Sequence, residues 1–374
     1  MIRSLFVFGT RPEAIKLAPL VLEMKKRPEF DPIVAVTAQH RQMLDQVLGL
    51  FDITPQYDLN LMKPNQTLEM ILAGVFTHLP PVIAECKPDV VIVQGDTTTT
   101  FCGAKCAFTQ HVPVAYVEAG LRTNNKYSPF PEEINRRLTS VIADYHFAPT
   151  QTNRQHLLRE GYDDKIIWVT GNTVIDALLH VTGREFEFDD PALADIPGRL
   201  ILVTAHRRES FGEPFRNLCH GLAQLARRYP DDTIIYPMHM NPNVRKPVAE
   251  ILEGIDNVRL IEPLDYEPFV HLLKKAHLVL TDSGGIQEEA PGLGIPVLVM
   301  RDTTERPEGV EAGTVQLVGT DTKKIVAEAT RLLDDQTAYD AMAQAKNPYG
   351  DGRACARICD ILNRAMPGDE SASQ

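Results

Sequence analysis

The chain has 374 residues, of which 44% are hydrophobic and 24% are charged. This balance is typical of a folded globular protein and excludes wholesale disorder and a disulfide-stapled miniprotein. At roughly 150 residues per domain, the length predicts two domains. The formal net charge of -12 argues against non-specific nucleic-acid binding, because an acidic surface repels phosphate backbones. An anionic ligand would need positive charge concentrated in one place.

The N-terminus and the cysteines predict a cytoplasmic protein. The apolar run Ile2–Phe8 is too short for a secretory signal, and no stretch approaches the ~18 consecutive apolar residues that span a bilayer. The six cysteines lack the spacing of a zinc site, and no His or second close Cys pair completes one. We therefore expect no metal site and small buried thiols in a reducing compartment.

Short β-branched runs alternate with helix-length amphipathic stretches, which is typical of parallel α/β folds. The first series of predicted strands is Ile2–Phe8, Pro32–Thr37, Asp89–Gln94, Pro113–Glu118, Tyr145–Ala148 and Lys165–Val169. The second is Leu200–Val203, Thr233–Tyr236, Val258–Ile261, Leu278–Thr281, Pro296–Met300 and Thr314–Leu317. An acidic, proline-containing stretch at 186–198 separates them, and Pro80-Pro81 should break the helix that precedes Cys86. Two doubly wound halves are expected.

Charged residues follow the predicted strands, where ligands of open parallel sheets bind. Asp96 and Glu118 each come after a strand, and Glu132 lies four residues before Arg136 on one predicted helix face. Three acids at one sheet edge suit acid/base chemistry, which needs titratable groups in different environments. The alternatives are a helix N-cap for Asp96 and a surface ion pair for Glu132 and Arg136, stabilising by only ~0.3–0.5 kcal/mol.

The second half carries a glycine-rich turn at Thr281–Glu289. Ser283 can cap the following helix, and Gly284 and Gly285 would let a phosphate approach its exposed N–H groups. Glu289, one turn further on, could accept hydrogen bonds from a ribose. The alternative, a plain capped helix, stays open. No G-x-G-x-x-G follows the first strand, so a dinucleotide cofactor is not supported.

Six motifs occur in order along the chain: Phe8–Ala14, Ala38–Arg41, Gln94–Thr99, Val117–Arg122, His206–Glu209 and Asp282–Gly285. Together they resemble the bacterial non-hydrolysing UDP-N-acetylglucosamine 2-epimerases, from about residue 2 to about residue 360. The resemblance implies the α/β GT-B fold, with two Rossmann-like domains facing across a cleft. It implies an N-terminal domain at 1–170, a UDP-binding domain at 171–352, and a final helix, 353–374, that crosses back onto the first domain.

The resemblance also implies an activity and its residues. The family interconverts UDP-N-acetylglucosamine and UDP-N-acetylmannosamine for polysaccharide synthesis, by anti elimination of UDP and re-addition through 2-acetamidoglucal, without a cofactor. By motif position the catalytic set is Asp96, Glu118, Glu132 and His206. The substrate and UDP contacts are Arg11, Lys16, Arg136, Ser283, Gly284, Gly285, Glu289 and Arg306. Members are commonly homodimers, and several bind UDP-N-acetylglucosamine as an activator at a second site, matched here by Gln39, Gln42, Arg207 and His239.

Three other functions remain compatible with the sequence. A GT-B glycosyltransferase would share the glycine-rich turn but would need an acceptor. A hydrolysing epimerase would release free N-acetylmannosamine. A non-catalytic nucleotide-sugar sensor would bind UDP and leave the three acids without a role.

Overall fold

The computed structural model describes residues 1–38, 41–61 and 66–366. The described strands are β1 Ile2–Phe8, β2 Phe30–Val36, β3 Tyr57–Asp58, β4 Val90–Gln94, β5 Val114–Val117, β6 Tyr145–Ala148, β7 Ile167–Val169, β8 Leu200–Thr204, β9 Thr233–Pro237, β10 Val258–Ile261, β11 Ala276–Thr281, β12 Val297–Val299 and β13 Val315–Leu317. The first eight helices are α1 Arg11–Lys25, α2 Arg41–Leu50, α3 Leu68–Cys86, α4 Thr98–Thr109, α5 Glu132–Ile142, α6 Gln151–Arg159, α7 Thr173–Thr182 and α8 Pro191–Ala194. The other eight are α9 Glu213–Arg228, α10 Pro242–Leu252, α11 Tyr266–Lys275, α12 Ile286–Gly292, α13 Pro307–Glu311, α14 Thr322–Asp334, α15 Gln336–Ala343 and α16 Ala354–Ala365.

The strands form two parallel sheets, one from each half of the chain. The first has the order β3-β2-β1-β4-β5-β6-β7 and the second the order β10-β9-β8-β11-β12-β13. The predicted α/β architecture is therefore confirmed, and every strand predicted from the sequence is present with its ends within two residues. The prediction missed β3, which has only two residues and so carries no readable alternation.

Each sheet has one point where the strand order reverses, and these points locate the candidate sites. In the first sheet the order turns between β1 and β4, and in the second between β8 and β11. Ligands of open α/β sheets bind beyond the carboxyl ends of the strands at such a switch point. Four of the six sequence motifs lie at the carboxyl ends of β1, β4, β8 and β11.

The chain divides into two compact units. Unit 1 comprises Met1–Ala177 and the chain from Tyr349 onward, and unit 2 comprises Leu178–Pro348. The division falls inside α7 and shortly before α16, whereas the sequence suggested boundaries after residues 170 and 352. Each unit buries its own cluster of aliphatic side chains around its sheet.

The last helix, α16, packs within unit 1 against α1. The Arg27 guanidinium lies 2.5 Å from the Asp360 carboxylate. The Asp176 carboxylate accepts the backbone N–H groups of Ala354 and Cys355 at 3.1 and 2.9 Å, so it caps the first turn of α16, where N–H groups lack helical acceptors. All six cysteines are free and buried, which confirms that they are small core residues.

Helix α3 corrects one prediction. It runs unbroken through Pro80 and Pro81. The two prolines cannot donate to the carbonyls of Phe76 and Thr77, but both of those residues are exposed, so water can satisfy the carbonyls. By length and composition α3 is apolar enough to cross a membrane, yet one of its faces packs into the core of unit 1.

Candidate functional site

The turn after β1 is built around the Glu13 carboxylate, which is 1% exposed. Its oxygens accept hydrogen bonds from the Gly9 and Thr10 N–H groups and from the hydroxyls of Thr10, Thr97 and Thr100, at 2.6–3.0 Å. Burial raises the pKa of Glu13, and these hydrogen bonds oppose that rise. The carboxylate thus ties the end of β1 to the start of α4, across the switch point of unit 1.

Gly9 lets two strand ends approach each other closely. A Cβ atom there would lie 2.0 Å from the Thr37 hydroxyl oxygen, a distance that no side chain tolerates. Arg11, directly after this turn, is the first residue of α1. The half-buried Arg11 makes no hydrogen bond or ion pair with the described residues, and its charge can serve a ligand.

Asp96 follows β4 and is bound to helix α5. The Arg136 guanidinium donates to Asp96 Oδ2 through Nε at 3.0 Å and Nη2 at 2.6 Å, and the Asn135 amide donates to the Asp96 carbonyl at 2.9 Å. The N-cap of α4 is Thr97, whose hydroxyl accepts the Thr100 N–H. Asp96 is therefore not the helix cap, and its carboxylate remains an ion-paired anion at the sheet edge.

Glu118 follows β5, the neighbour of β4 in the sheet. Its backbone has a φ of 66°, in the left-handed region that non-glycine residues seldom adopt and that is often found at functional sites. The carboxylate is buried, accepts a hydrogen bond from the Gln94 amide and lies 2.5 Å from Lys16 Nζ. Asp96 and Glu118 thus each have a different cation beside them.

Glu132 begins α5 but does not pair with Arg136. Arg136 pairs with Asp96 and with Glu133, whose oxygen is 3.5 Å away, so the alternative of a surface ion pair between Glu132 and Arg136 is wrong. Glu132 Oε2 is buried without a hydrogen-bond partner, and its carboxylate has no ion pair within the described parts of the chain. Among the three predicted acids, Glu132 is the one without an adjacent cation.

Glu133 is a structural residue that the sequence analysis missed. Its carboxylate is 1% exposed and accepts the Thr123 and Asn124 N–H groups at 2.9 and 3.1 Å. Burial alone would raise the pKa of Glu133, but these N–H groups and the Arg137 guanidinium hold it below its usual range. The residue fixes the loop after β5 to α5. A second acid directly after Glu132 was the available signal.

In unit 2, Asp282 organises the switch point between β8 and β11. One carboxylate oxygen, Oδ2, accepts the N–H groups of His206 and Arg207, both at 2.7 Å. The side chain is 1% exposed, and the two hydrogen bonds place the imidazole of His206 beside the glycine-rich turn. From the sequence, Asp282 was recognisable only as part of a motif.

The glycine-rich turn differs from its prediction in one respect. The N-cap of α12 is Gly285, and no side chain caps the helix, so Ser283 is not a cap. Its backbone N–H instead donates to the Thr281 hydroxyl at 2.9 Å. The first turn of a helix leaves N–H groups without carbonyl acceptors, and glycine at 284 and 285 leaves the approach to them uncovered.

Arg306 supplies positive charge at this turn. A Cβ atom on Gly284 would lie 3.4–3.5 Å from its guanidinium, so the cation packs directly against the glycine backbone. The Glu288 carboxylate holds Arg306 Nε at 2.7 Å. Cation and helix N–H groups together make a binding environment for an anion such as a diphosphate.

Glu289 lies on the same short helix. Its carboxylate accepts a hydrogen bond from the Tyr266 hydroxyl at 3.2 Å, and burial together with this carboxylate raises the pKa of Tyr266 well above its usual range. The phenol is therefore a permanent donor that fixes the orientation of Glu289.

The predicted activator set is described only in part. Gln39 lies outside the described residues. Gln42 is exposed on the first turn of α2, in unit 1. In unit 2, Arg207 follows His206 directly, and the His239 ring stacks on the His206 ring with centroids 5.2 Å apart. In the parts of the chain with described structure, no cluster of His, Cys, Asp and Glu could hold a metal ion.

Comparison with known proteins identifies the family. The model of the UDP-N-acetylglucosamine 2-epimerase family matches residues 22–363. The chain belongs to this family. It is 58% identical over 368 residues to the UDP-N-acetylglucosamine 2-epimerase of Escherichia coli K12, covering 96% of this chain and 98% of that protein.

Solved structures agree with this assignment. The UDP-N-acetylglucosamine 2-epimerase of Neisseria meningitidis, whose crystal structure contains UDP-N-acetylglucosamine, is 50% identical and aligns with a TM-score of 0.85 over 97% of this chain and 100% of its own. A kitacinnamycin glycosyltransferase at 14% identity, with a TM-score of 0.68 over 98% of this chain and 99% of its own, shares the fold alone. The predicted resemblance and GT-B-type fold are confirmed, and the chain is an isomerase of the epimerase family.

Proposed function

We propose that this chain reversibly epimerises UDP-N-acetylglucosamine at C2 to UDP-N-acetylmannosamine without hydrolysing it. The observation that carries the proposal is the different setting of each of the three carboxylates in unit 1. Asp96 is paired with Arg136 and Glu118 with Lys16, whereas Glu132 has a buried oxygen without a partner. Carboxylates in different electrostatic settings are suited to accept and donate protons in one reaction.

The proposed mechanism is anti elimination of UDP followed by re-addition. The hydrogen at C2 is not adjacent to a carbonyl, so a carboxylate alone would remove it poorly. Breaking the C1–O bond sends its electron pair to UDP and places positive charge at C1, which acidifies C2. A carboxylate then takes the C2 proton and leaves 2-acetamidoglucal. Return of UDP to C1 and of a proton to the opposite face of C2 completes the epimerisation.

This reaction needs groups that move protons and groups that hold the departing UDP. In unit 1, Asp96, Glu118 and Glu132 move protons, and Arg11, Lys16 and Arg136 balance negative charge. In unit 2, His206 and Arg306 stabilise the departing UDP, which the Gly284 and Gly285 backbone N–H groups and the Ser283 hydroxyl hold, while Glu289 accepts from the ribose. No cofactor takes part in these steps.

A proton NMR time course of purified protein with UDP-N-acetylglucosamine tests the function. We expect UDP-N-acetylmannosamine to accumulate to an equilibrium with no acceptor present. A glycosyltransferase would require an acceptor, a hydrolysing epimerase would release free N-acetylmannosamine, and a sensor would leave the sugar unchanged. Any of these three results would contradict the proposal.

Gly284→Val should weaken UDP binding strongly while the fold survives. The two added methyl groups would enter the space between the turn and the Arg306 guanidinium, which lies 3.4–3.5 Å from the position of a Cβ, and would cover the open N–H groups. Gly284→Ala is the matched control, because its single methyl group makes only ordinary contacts. Calorimetry with UDP should rank affinity as wild type, alanine, then valine. Equal affinities in folded variants would exclude this turn as the diphosphate site.

We also propose that UDP-N-acetylglucosamine acts as an activator through Gln39, Gln42, Arg207 and His239. The ring stacking of His239 on His206 supports a link between activator and catalytic residues. Velocity should be sigmoidal in UDP-N-acetylglucosamine, with a coupling free energy of roughly 1–3 kcal/mol, and the reverse reaction should stall without a trace of it. Hyperbolic kinetics with full reverse activity on pure UDP-N-acetylmannosamine would remove the activator site.

A homodimer and a cytoplasmic location complete the proposal. Apolar side chains are exposed on the consecutive helices α3, α4 and α5, at Phe76, Phe108, Leu138 and Val141, and such a surface is characteristic of a subunit interface. The product is an activated sugar donor, so the reaction is suited to supply cell-surface polysaccharide synthesis.

A further inference from the structure

The Asp282 carboxylate has one oxygen that the structure leaves unused. Oδ2 accepts two backbone N–H groups at 2.7 Å. Oδ1 is buried and lacks a hydrogen-bond partner within the described chain. A buried carboxylate oxygen without a hydrogen bond is destabilising, so a donor that can reach it should bind it.

His206 Nδ1 lies 3.8 Å from that oxygen. The imidazole is 44% exposed and is attached to a backbone that Asp282 already holds. A ring movement of about 1 Å would bring Nδ1 within hydrogen-bond distance of Oδ1. We propose that Asp282 is a positioning residue for His206, and that its Oδ1 accepts the Nδ1 proton and leaves Nε2 to exchange a proton with the ligand.

The His239 ring stacks on one face of the His206 imidazole. The two imidazoles stack at 5.2 Å with an interplanar angle of 12°, so two positive charges there would repel each other. The backbone N–H of Asn241 donates to His239 Nδ1 at 3.1 Å, which requires that nitrogen to be unprotonated. In this arrangement the proton of a neutral His239 ring lies on Nε2, and His206 is the ring of the pair that has the Asp282 carboxylate beside it.

The charged groups around His206 make this uptake depend on the ligand. Burial lowers the pKa of His206, and His239 and Arg207 lower it further, while the Asp282 carboxylate opposes them. These effects favour the neutral ring before a ligand binds. An arriving diphosphate adds negative charge and favours the imidazolium. This inference rests on the proposed role of His206 at the departing UDP.

The test reads the ring nitrogens of the full-length protein directly. Long-range proton–nitrogen NMR spectra of histidine-labelled protein distinguish the two tautomers, with signals assigned by His206→Gln and His239→Gln. We expect neutral His206 to carry its proton on Nδ1 and His239 to carry its proton on Nε2. Addition of UDP should raise the pKa of His206. An Nε2–H tautomer of His206 in the wild type would overturn the proposal without any variant.

Asp282→Asn supplies the second measurement. The side-chain oxygen of the asparagine can still accept the two backbone N–H groups that Asp282 Oδ2 accepts. Its NH2 group then occupies the position of Asp282 Oδ1, and this group is a donor that cannot accept the Nδ1 proton. We expect His206 to change to the Nε2–H tautomer and its pKa to fall. The alkaline limb of the pH profile of kcat should therefore move to lower pH. Unchanged His206 signals in a folded variant would contradict the inference. A tautomer that changes while turnover stays at the wild-type level would instead contradict the proposed catalytic role of His206.

Discussion

Asp96→Asn, Glu118→Gln and Glu132→Gln should each lower kcat for UDP-N-acetylglucosamine by about 10²–10⁴-fold, the contribution of one general acid or base. The amides keep the size of the side chains but cannot take up a proton. At Asp96 and Glu118 the substitution also removes the counter-ion of Arg136 or Lys16. We expect kcat to fall more than KM changes, because the lost interaction belongs to the transition state.

Matched controls separate this effect from a general loss of acid groups. Asp164→Asn and Glu85→Gln make the same chemical changes at exposed positions of unit 1 and should leave kcat within about twofold of wild type, since surface substitutions shift stability by no more than about 0.5 kcal/mol. Thermal melts should show that all five variants are folded. Near wild-type turnover by any one of the three site variants would remove that residue from the catalytic set.

Epimerisation in deuterated water should place deuterium at C2 of essentially every product molecule. Elimination gives the C2 proton to a carboxylate, and re-addition delivers a proton to the opposite face, so a second group or water must supply it. Recovered UDP-N-acetylglucosamine should also gain deuterium as the reaction reverses. Proton NMR and mass spectrometry of both sugars measure this directly.

The same incubation should slowly release UDP and 2-acetamidoglucal, because only non-covalent contacts would hold the intermediate. The amide variants sharpen the comparison, since a variant that eliminates but cannot return the proton should release more glucal per epimerisation. Product that fully retains its original C2 hydrogen, without glucal or free UDP after long incubation, would exclude the elimination mechanism.

The sequence predicted the fold well because parallel strands have a local signature. Buried strands such as Val90–Gln94 are short runs of β-branched residues, and alternation with amphipathic helices is enough to indicate an α/β architecture. The boundary between the units was less readable. It falls inside α7, where the chain continues as one helix and composition does not change.

The partners of the site residues could not be predicted, because they depend on the packing of distant segments. Spacing placed Glu132 and Arg136 on one helix face, but Asp96 from another strand end binds Arg136. Serine is a common helix cap, yet the Ser283 N–H donates to the Thr281 hydroxyl. The N-cap of α12 is Gly285, two residues later. The hydroxyls that hold the Glu13 carboxylate belong to Thr97 and Thr100 at the start of α4, more than eighty residues further along the chain.

Unit 1 is discontinuous in the chain, and this has a consequence for biosynthesis. Its sheet is complete by β7, but α16, which packs on α1 and is capped by Asp176, is made only after the whole of unit 2. During translation at about 5–20 residues per second, some 180 further residues must be added before the face of α1 that contacts α16 is covered. Unit 2 is contiguous and can finish folding first, so the half that carries the carboxylates becomes complete only after α16 has been synthesised.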